Sequence, residues 1–269
     1  NWVSSTNLYS NAVGSPEQYA ERAKELGQPA LGVTDHGNVS AHYKWYTECK
    51  KRDVKPVLGC ELYIVEREDQ IRMPMYYHIT VLVLNKIGYR NLMQLVTKGW
   101  CEQFYYKPKI TFQDLINHQE GLAVLSGCLS GPVLQELHKG SDKKAKDNFD
   151  LLSKNIKNFY IEMQPIDFDG GLQAYQKFIE LSKNYPNVPW IVTSDCHCVK
   201  EKHLKTQEIM LCVQSKSLWD DPDRWRFDQK DLYLKSRKEM EDGMNRIFPD
   251  VKWKEALDNT IKLADKVDF

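Results

Sequence analysis

The stretch Pro189-Trp-Ile-Val-Thr-Ser-Asp-Cys-His-Cys198 sets the reading of this chain. A short apolar run ends in an acid and an imidazole two residues apart, Asp195 and His197. In an extended chain alternate side chains share a face, so these two point the same way. A carboxylate oxygen beside an imidazole nitrogen is half of a site for zinc or manganese. The same pair also arises where an Asp caps a helix beside a surface histidine, so the stretch needs support from elsewhere.

That support is recurrence. Ala30-Leu-Gly-Val-Thr-Asp-His-Gly-Asn38 is a second apolar run ending in Asp-His. Pro56-Val-Leu-Gly-Cys-Glu-Leu-Tyr-Ile-Val65 is rich in strand formers and holds one carboxylate, Glu61. Tyr76-Tyr-His-Ile-Thr-Val-Leu-Val-Leu84 carries His78, and Leu122-Ala-Val-Leu-Ser-Gly-Cys128 ends in a thiol. An unpaired charge in an apolar strand is costly, so chance placement would not favour these positions.

Length and composition bound the rest. A chain of 269 residues buries a large core and fits one α/β barrel or two small domains. Lys+Arg number 37 against Asp+Glu 37, which argues against a free-standing duplex-DNA binder, although a module fused to a DNA-binding partner stays open. No apolar run approaches ~20 residues and no signal-peptide pattern is visible, so a soluble, cytoplasmic protein without a membrane partner is expected. Seven scattered cysteines suit a reducing compartment better than a disulfide framework. The first residue is Asn, which fits a piece of a longer chain.

Ser15-Pro16-Glu17 is a helix start and Gly27 its stop. The pattern then predicts a strand over 30–35, a helix over 40–52, strands over 57–65 and 77–84, and a helix over 88–102. Further on it predicts a helix over 142–157, a strand over 159–164, a helix over 171–184 and a strand over 188–194. Helices follow over 201–213, 236–246 and 252–266. Strands alternating with helices call for a mostly parallel sheet. With about seven strands and polar residues at their ends, a (β/α) barrel with its site in the mouth fits best, ahead of an open doubly wound sheet, which lacks its Gly-rich loop here. Lys98, Lys107 and Lys109 are interleaved with Trp100, Phe104, Tyr105 and Tyr106, a composition shared by single-strand binding platforms and by aromatic loops packed on a barrel.

Thr34-Asp-His-Gly-Asn38, Lys55-Pro-Val-Leu-Gly59 with Glu61, His78-Ile-Thr-Val-Leu82, Gly88-Tyr-Arg-Asn-Leu92, Leu125-Ser-Gly-Cys128 and Asp220-Asp-Pro-Asp-Arg-Trp-Arg-Phe227 together resemble the PHP (polymerase and histidinol phosphatase) domain. The version they resemble stands at the N-terminus of bacterial replicative DNA polymerase III alpha subunits, and the resemblance runs over essentially the whole chain, so residues 1–269 are read as one PHP domain. It implies a distorted seven-stranded (β/α) barrel, here with a mainly helical C-terminal extension, holding up to three metal ions at one end. The family's metal positions fall on His36, Glu61, His78, Cys128, Asp195 and His197. By similarity Glu61 bridges two ions, His78 and Cys128 complete one site, His36 and His197 help hold the second, and Asp195 serves the third.

The departure lies at the N-terminus. Aligning Tyr9-Ser10 with the family's aromatic-Ser puts Ser4 and Thr6 where two histidines are expected and Val13 where an acid is expected. Hydroxyls are poor zinc ligands and valine is none. The expectation is therefore fewer than three ions, of zinc or else manganese or magnesium. Cys196 and Cys198 read as small buried residues, His42, His118, His138 and His203 as surface residues, and Asp35 as the cap of the turn after its strand.

Two functions follow from the resemblance. One is a module of a DNA polymerase III alpha-like subunit, working in DNA replication with weak or absent hydrolysis of its own, which braces the remaining polymerase domains or docks a proofreading exonuclease subunit. The other is an active metal-dependent phosphoesterase or 3′–5′ exonuclease acting on a single-stranded 3′ end of DNA, with Asp195, His197 and Glu61 as catalytic residues. DNA-directed polymerase activity would reside outside these residues.

Overall fold

Two-residue periodicity in the strands determines which side chains face into the fold and which face its helices. The computed structural model describes residues 12–165, 171–227 and 231–268. Ser4 and Thr6 lie outside the described residues. The strands are β1 (Ala30–His36), β2 (Lys55–Val65), β3 (Tyr77–Val83), β4 (Phe104–Tyr105), β5 (Lys107–Thr111), β6 (Leu122–Leu125), β7 (Phe159–Met163) and β8 (Trp190–Val192).

They form one mixed sheet in the order β4-β5-β2-β3-β6-β7-β8, with β1 beside the first half of β2 and β5 beside its end. The sheet curls into a half-barrel of seven strands with the two-residue β4 at its edge. It is less parallel than its alternation of strands and helices predicts, because β3 runs antiparallel to both β2 and β6. Only the 3₁₀ turn Glu68–Gln70 and loops join β2 to β3, so no crossover helix is available to turn the chain around.

The helices are α1 (Pro16–Glu25), α2 (His42–Lys50), α3 (Lys86–Cys101), α4 (Phe112–Asn117), α5 (Leu134–His138), α6 (Asp142–Asn155), α7 (Gly171–Ser182), α8 (Leu204–Ser215), α9 (Arg237–Ile247) and α10 (Lys254–Asp265). The start of α1 is a reciprocal cap: Gln18 N–H donates to Ser15 Oγ at 3.3 Å and Ser15 N–H to Gln18 Oε1 at 2.9 Å. Trp45 of α2 donates its indole N–H to Leu31 O of β1 at 3.1 Å, which pins α2 against the strands that carry the polar residues. No helix among the described residues is long and apolar enough to cross a membrane.

Alternation sorts the strands onto two faces. Leu58, Cys60, Leu62 and Ile64 of β2, Ile79, Val81 and Val83 of β3, and Ile161 and Met163 of β7 join the larger core under the helices. The opposite face carries Val57, Ala123, Leu125, Tyr160 and Ile191, closed at one end by Leu263 and Val267. Glu61, His78 and Glu162 alternate onto that second face, as does His36 with Ala30 of β1. Apolar residues fill one end of the curl, and ionisable ones occupy the end where the parallel strands finish.

Candidate metal centre

Strand register builds the centre. The parallel β1–β2 pair sets His36 opposite Glu61, and the antiparallel β2–β3 pair sets Tyr63 opposite His78 and Glu61 opposite Thr80. Ligand atoms of His36, Glu61 and His78 then all lie within 4.8 Å of one another, a group that can hold a metal ion. His78 Nδ1 hydrogen-bonds Glu61 Oε1, and His36 Nδ1 stands 3.7 Å from Glu61 Oε2. The two imidazoles meet edge to face at 5.4 Å.

Two glycines permit this approach. Gly37, at φ +61°, turns the chain directly after His36, and a Cβ there would lie 2.7 Å from Pro108 Cγ and 3.0 Å from Tyr63. Gly127, at φ +86°, turns the chain after β6, and a Cβ there would lie 2.5 Å from the His78 carbonyl. That turn brings Cys128 Sγ to 4.0 Å from Glu61 Oε1.

Asp195 and His197 are adjacent for a reason other than the predicted one. The strand stops at Val192 and Asp195 has φ +43°, so the extended alternation that would align their side chains is broken. The turn nevertheless leaves Asp195 Oδ1 3.9 Å from His197 Nδ1. His197 Nδ1–H donates to the Asp195 carbonyl at 2.7 Å, which fixes the orientation of the ring. The Val13 amide donates to the His197 carbonyl at 2.7 Å, so position 13 runs alongside this segment. Asp195 and His197 are not part of the 4.8 Å group, although both are felt electrostatically by Glu61 or Cys128.

The electrostatics follow from burial. His36 is pushed down to about 4 chiefly by burial, so its ring is neutral at physiological pH, and neither of its nitrogens has a hydrogen-bond partner among the described residues. Burial opposes ionisation of Glu61, but His36, His78 and the hydrogen bond from His78 outweigh it and hold the carboxyl below the usual range. Burial raises Asp195, with His197 opposing. Burial and the carboxylates of Glu61 and Asp195 push the Cys128 thiol well up. A neutral, half-buried imidazole whose two buried nitrogens are unsatisfied, beside a carboxylate and a thiol that only a cation would deprotonate, fits a divalent metal.

Other residues correct the sequence reading. Asp35 is buried within β1 and alternates toward the helices; the turn after β1 is closed by Asn38, which donates to His36 O at 3.0 Å and accepts from Ser40 N–H at 3.1 Å. His42 is buried, not on the surface, and bonds Gly59 O at 2.9 Å. Lys98 is engaged by Asp114 at 2.5 Å. Lys109 is 1 % exposed and donates to Ile71 O and Met73 O. Cys198 is buried as expected, with its thiol directed at Leu232 O at 3.4 Å, whereas Cys196 is only half-buried.

One residue of this face escaped the sequence reading. Glu162 is 4 % exposed, accepts from Thr193 Oγ1 at 2.5 Å and leaves Oε2 buried without a partner among the described residues. Burial, with the nearby carboxylates of Asp195 and Glu61, pushes it up to about 7 against the Thr193 hydrogen bond. Its signal was the one that marked Glu61: a lone acid in an apolar strand.

Comparison with known proteins assigns the family. The model of the family described as PHP domain matches residues 4–165. The chain belongs to the PHP domain family. It is 33 % identical over 263 residues to DNA polymerase III subunit alpha of Treponema pallidum, covering 95 % of this chain and 22 % of that protein. It is 32 % identical over 255 residues to the subunit of the same name from Thermus aquaticus, covering 89 % of this chain and 20 % of that one. The chain thus spans about a fifth of the length of these curated relatives. Among solved structures, an amidohydrolase from Chromobacterium violaceum aligns with TM-score 0.40 and 12 % identity over 71 % of this chain and 85 % of its own, too loosely to bear on function.

Proposed function

We propose that this chain is the PHP module of a replicative DNA polymerase III alpha-like subunit, acting in DNA replication in the cytoplasm. In this reading it braces the remaining polymerase domains or docks a proofreading exonuclease subunit, and its own hydrolysis is weak or absent. Likeness to DNA polymerase III subunit alpha over 95 % of the chain carries the reading. The hydroxyls Ser4 and Thr6 and the apolar Val13, at positions where the resemblance expects ligands, support the loss of hydrolysis.

His36, Glu61 and His78 would hold one ion, with Cys128 beside Glu61 as a further donor. Imidazole, carboxylate and thiol donors favour zinc over magnesium, with manganese between them. Asp195 and His197 would serve a second position, so fewer than three ions are expected. A bound ion would supply Lewis acidity toward a phosphate oxygen. Around it, Glu61 stays ionised, and His197 is oriented by the Asp195 carbonyl.

The alternative, an active phosphoesterase or 3′–5′ exonuclease using Asp195, His197 and Glu61, is favoured by the preassembled trio with its unsatisfied His36 nitrogens. Release of nucleotides from a labelled single-stranded 3′ end, with zinc or manganese added, separates the two. Background rates are expected. Brisk hydrolysis abolished by Asp195→Asn would overturn the scaffold reading.

A further inference from the structure

The end of α3 and the β4–β5 hairpin after it pack directly against the candidate metal centre yet leave four aromatic rings in solvent. Trp100, Phe104, Tyr105 and Tyr106 are 50 %, 51 %, 37 % and 81 % exposed. Trp100 and Phe104 stack at 5.2 Å and 16°, and Tyr105 meets Tyr106 at 4.6 Å. Trp100 Nε1–H donates to Gly37 O at 2.7 Å, one residue from His36. Inward from them, Tyr63 stacks on His36 at 6.1 Å and Tyr76 on His78 at 5.7 Å and 7°. Rings thus run from the metal trio to the surface.

Two ammonium groups stand among these rings. Lys107 Nζ lies 5.1 Å over Tyr63, and Lys109 Nζ lies 5.7 Å from Tyr76 and 5.4 Å from Tyr105. Lys107 forms no ion pair among the described residues, whereas Lys98 is neutralised by Asp114 and Lys109 is buried and held by the Ile71 and Met73 carbonyls. Burial of apolar rings ordinarily stabilises a fold, so a cluster left in water marks a contact surface. Planar rings stacked in pairs beside the Lys107 ammonium suit bases on a flexible phosphate backbone.

We infer that Trp100, Phe104 and Tyr106 form a stacking platform for single-stranded nucleic acid, with Lys107 supplying positive charge for its phosphates. This deepens the proposed link to nucleic acid but does not depend on hydrolysis: the platform lies beside the trio and binds whether or not a bond is cut.

The test is fluorescence anisotropy of labelled fifteen-nucleotide dT and rU strands with the 269-residue chain in EDTA, so that no metal-dependent cleavage intrudes. Phe104→Ala and Tyr106→Ala should each weaken binding about 5- to 100-fold, as removal of one stacked base does. Leu218→Ala, at an exposed apolar residue after α8, should leave it unchanged. Equal loss for dT and rU identifies the shared chemistry, and loss for dT alone identifies DNA. Quenching of Trp100 emission by the strand, absent in Trp100→Phe, gives a second measure on a side chain that need not be truncated. Full binding by both alanine variants, or no binding and no quenching in the unmodified chain, overturns the platform; capture of a protein partner lost on Phe104→Ala with strand binding unchanged would reassign the surface. Binding without cleavage in metal sinks only the hydrolytic alternative, and cleavage that survives both alanine variants at unchanged affinity sinks only the platform.

Discussion

Replacing Glu162 by glutamine separates the electrostatic cost of the inner face from its packing. Glutamine keeps the shape and the carbonyl that accepts from Thr193 Oγ1, and it removes one titration. The carboxyl of Glu162 moves from an ordinary 4.5 to about 7 in the folded chain, chiefly through burial. A folded value above the unfolded one means that the native state holds the proton more tightly. That contribution is complete below 4.5 and is lost as the pH rises through about 7. For a fully buried group with these two values the loss amounts to about 3 kcal/mol.

Urea unfolding of parent and Glu162→Gln between pH 4.5 and pH 8, both in EDTA, reads this difference. Other groups titrate in the same window, among them Asp195, which burial also raises. They are common to both proteins and largely cancel in the difference. The variant should be the less stable at the acid end, where glutamine places an NH₂ where Glu162 Oε2 has no partner among the described residues, and should gain on the parent by about 3 kcal/mol toward pH 8. Parallel curves would refute the reasoning, because a carboxyl that does not titrate in this window is either solvated or paired with an unassigned cation.

Metal analysis of the purified chain should find fewer than three ions, and His36→Ala with His78→Ala should abolish tight zinc binding; three ions in the parent would contradict the reading of Ser4, Thr6 and Val13. Ser4→His, Thr6→His and Val13→Asp together should raise phosphoesterase activity well above background, since a metal-bound water is several pKa units more acidic than free water; no gain at full metal loading would mean that these positions are not the missing ligands. His197→Ala removes a side chain only 2 % exposed and should cost on the order of 5–10 °C in Tm, while the exposed His138→Ala should cost little. Equal melting of the two would remove stability as the reason for keeping His197.

Much of the site was legible because strand alternation is a property of sequence. Glu61 and His78 stand out as polar residues in apolar runs, and the same alternation that buries Ile79 and Val81 under the helices sends His78 to the other face. The β1–β2 register that puts His36 opposite Glu61 could not be read, since pairing between strands is a tertiary fact. Asp195 and His197 come within 3.9 Å of each other through a turn and not through strand alternation, which ends at Val192 where a left-handed residue soon takes over. The burial of His42 depends on α2 lying over Gly59, a contact that periodicity in one helix does not report. The reversal of β3 is a pairing fact that alternation within one strand does not report, and α4 and α5, with six and five residues, fall below the length at which a repeat can be recognised.

Two groups of the centre carry a cost that one cation would relieve. His36 is neutral with both nitrogens unsatisfied and Cys128 is held as a thiol by the charges around it, while the His36 and His78 rings already outweigh the burial of the ionised Glu61. A divalent ion would take up a His36 lone pair, offset the Glu61 charge and lower the Cys128 thiol together, so each donor strengthens the case for the others. None of that stabilisation requires a nucleophile or the N-terminal ligands. By mass action an ion at a hundred times its Kd adds about 2.7 kcal/mol to the folded state. A chain that no longer hydrolyses anything therefore still has a physical reason to keep His36, Glu61 and His78. In the scaffold reading the ion ties β1, β2 and β3 together at the open end of the curl, opposite the end that Leu263 and Val267 close.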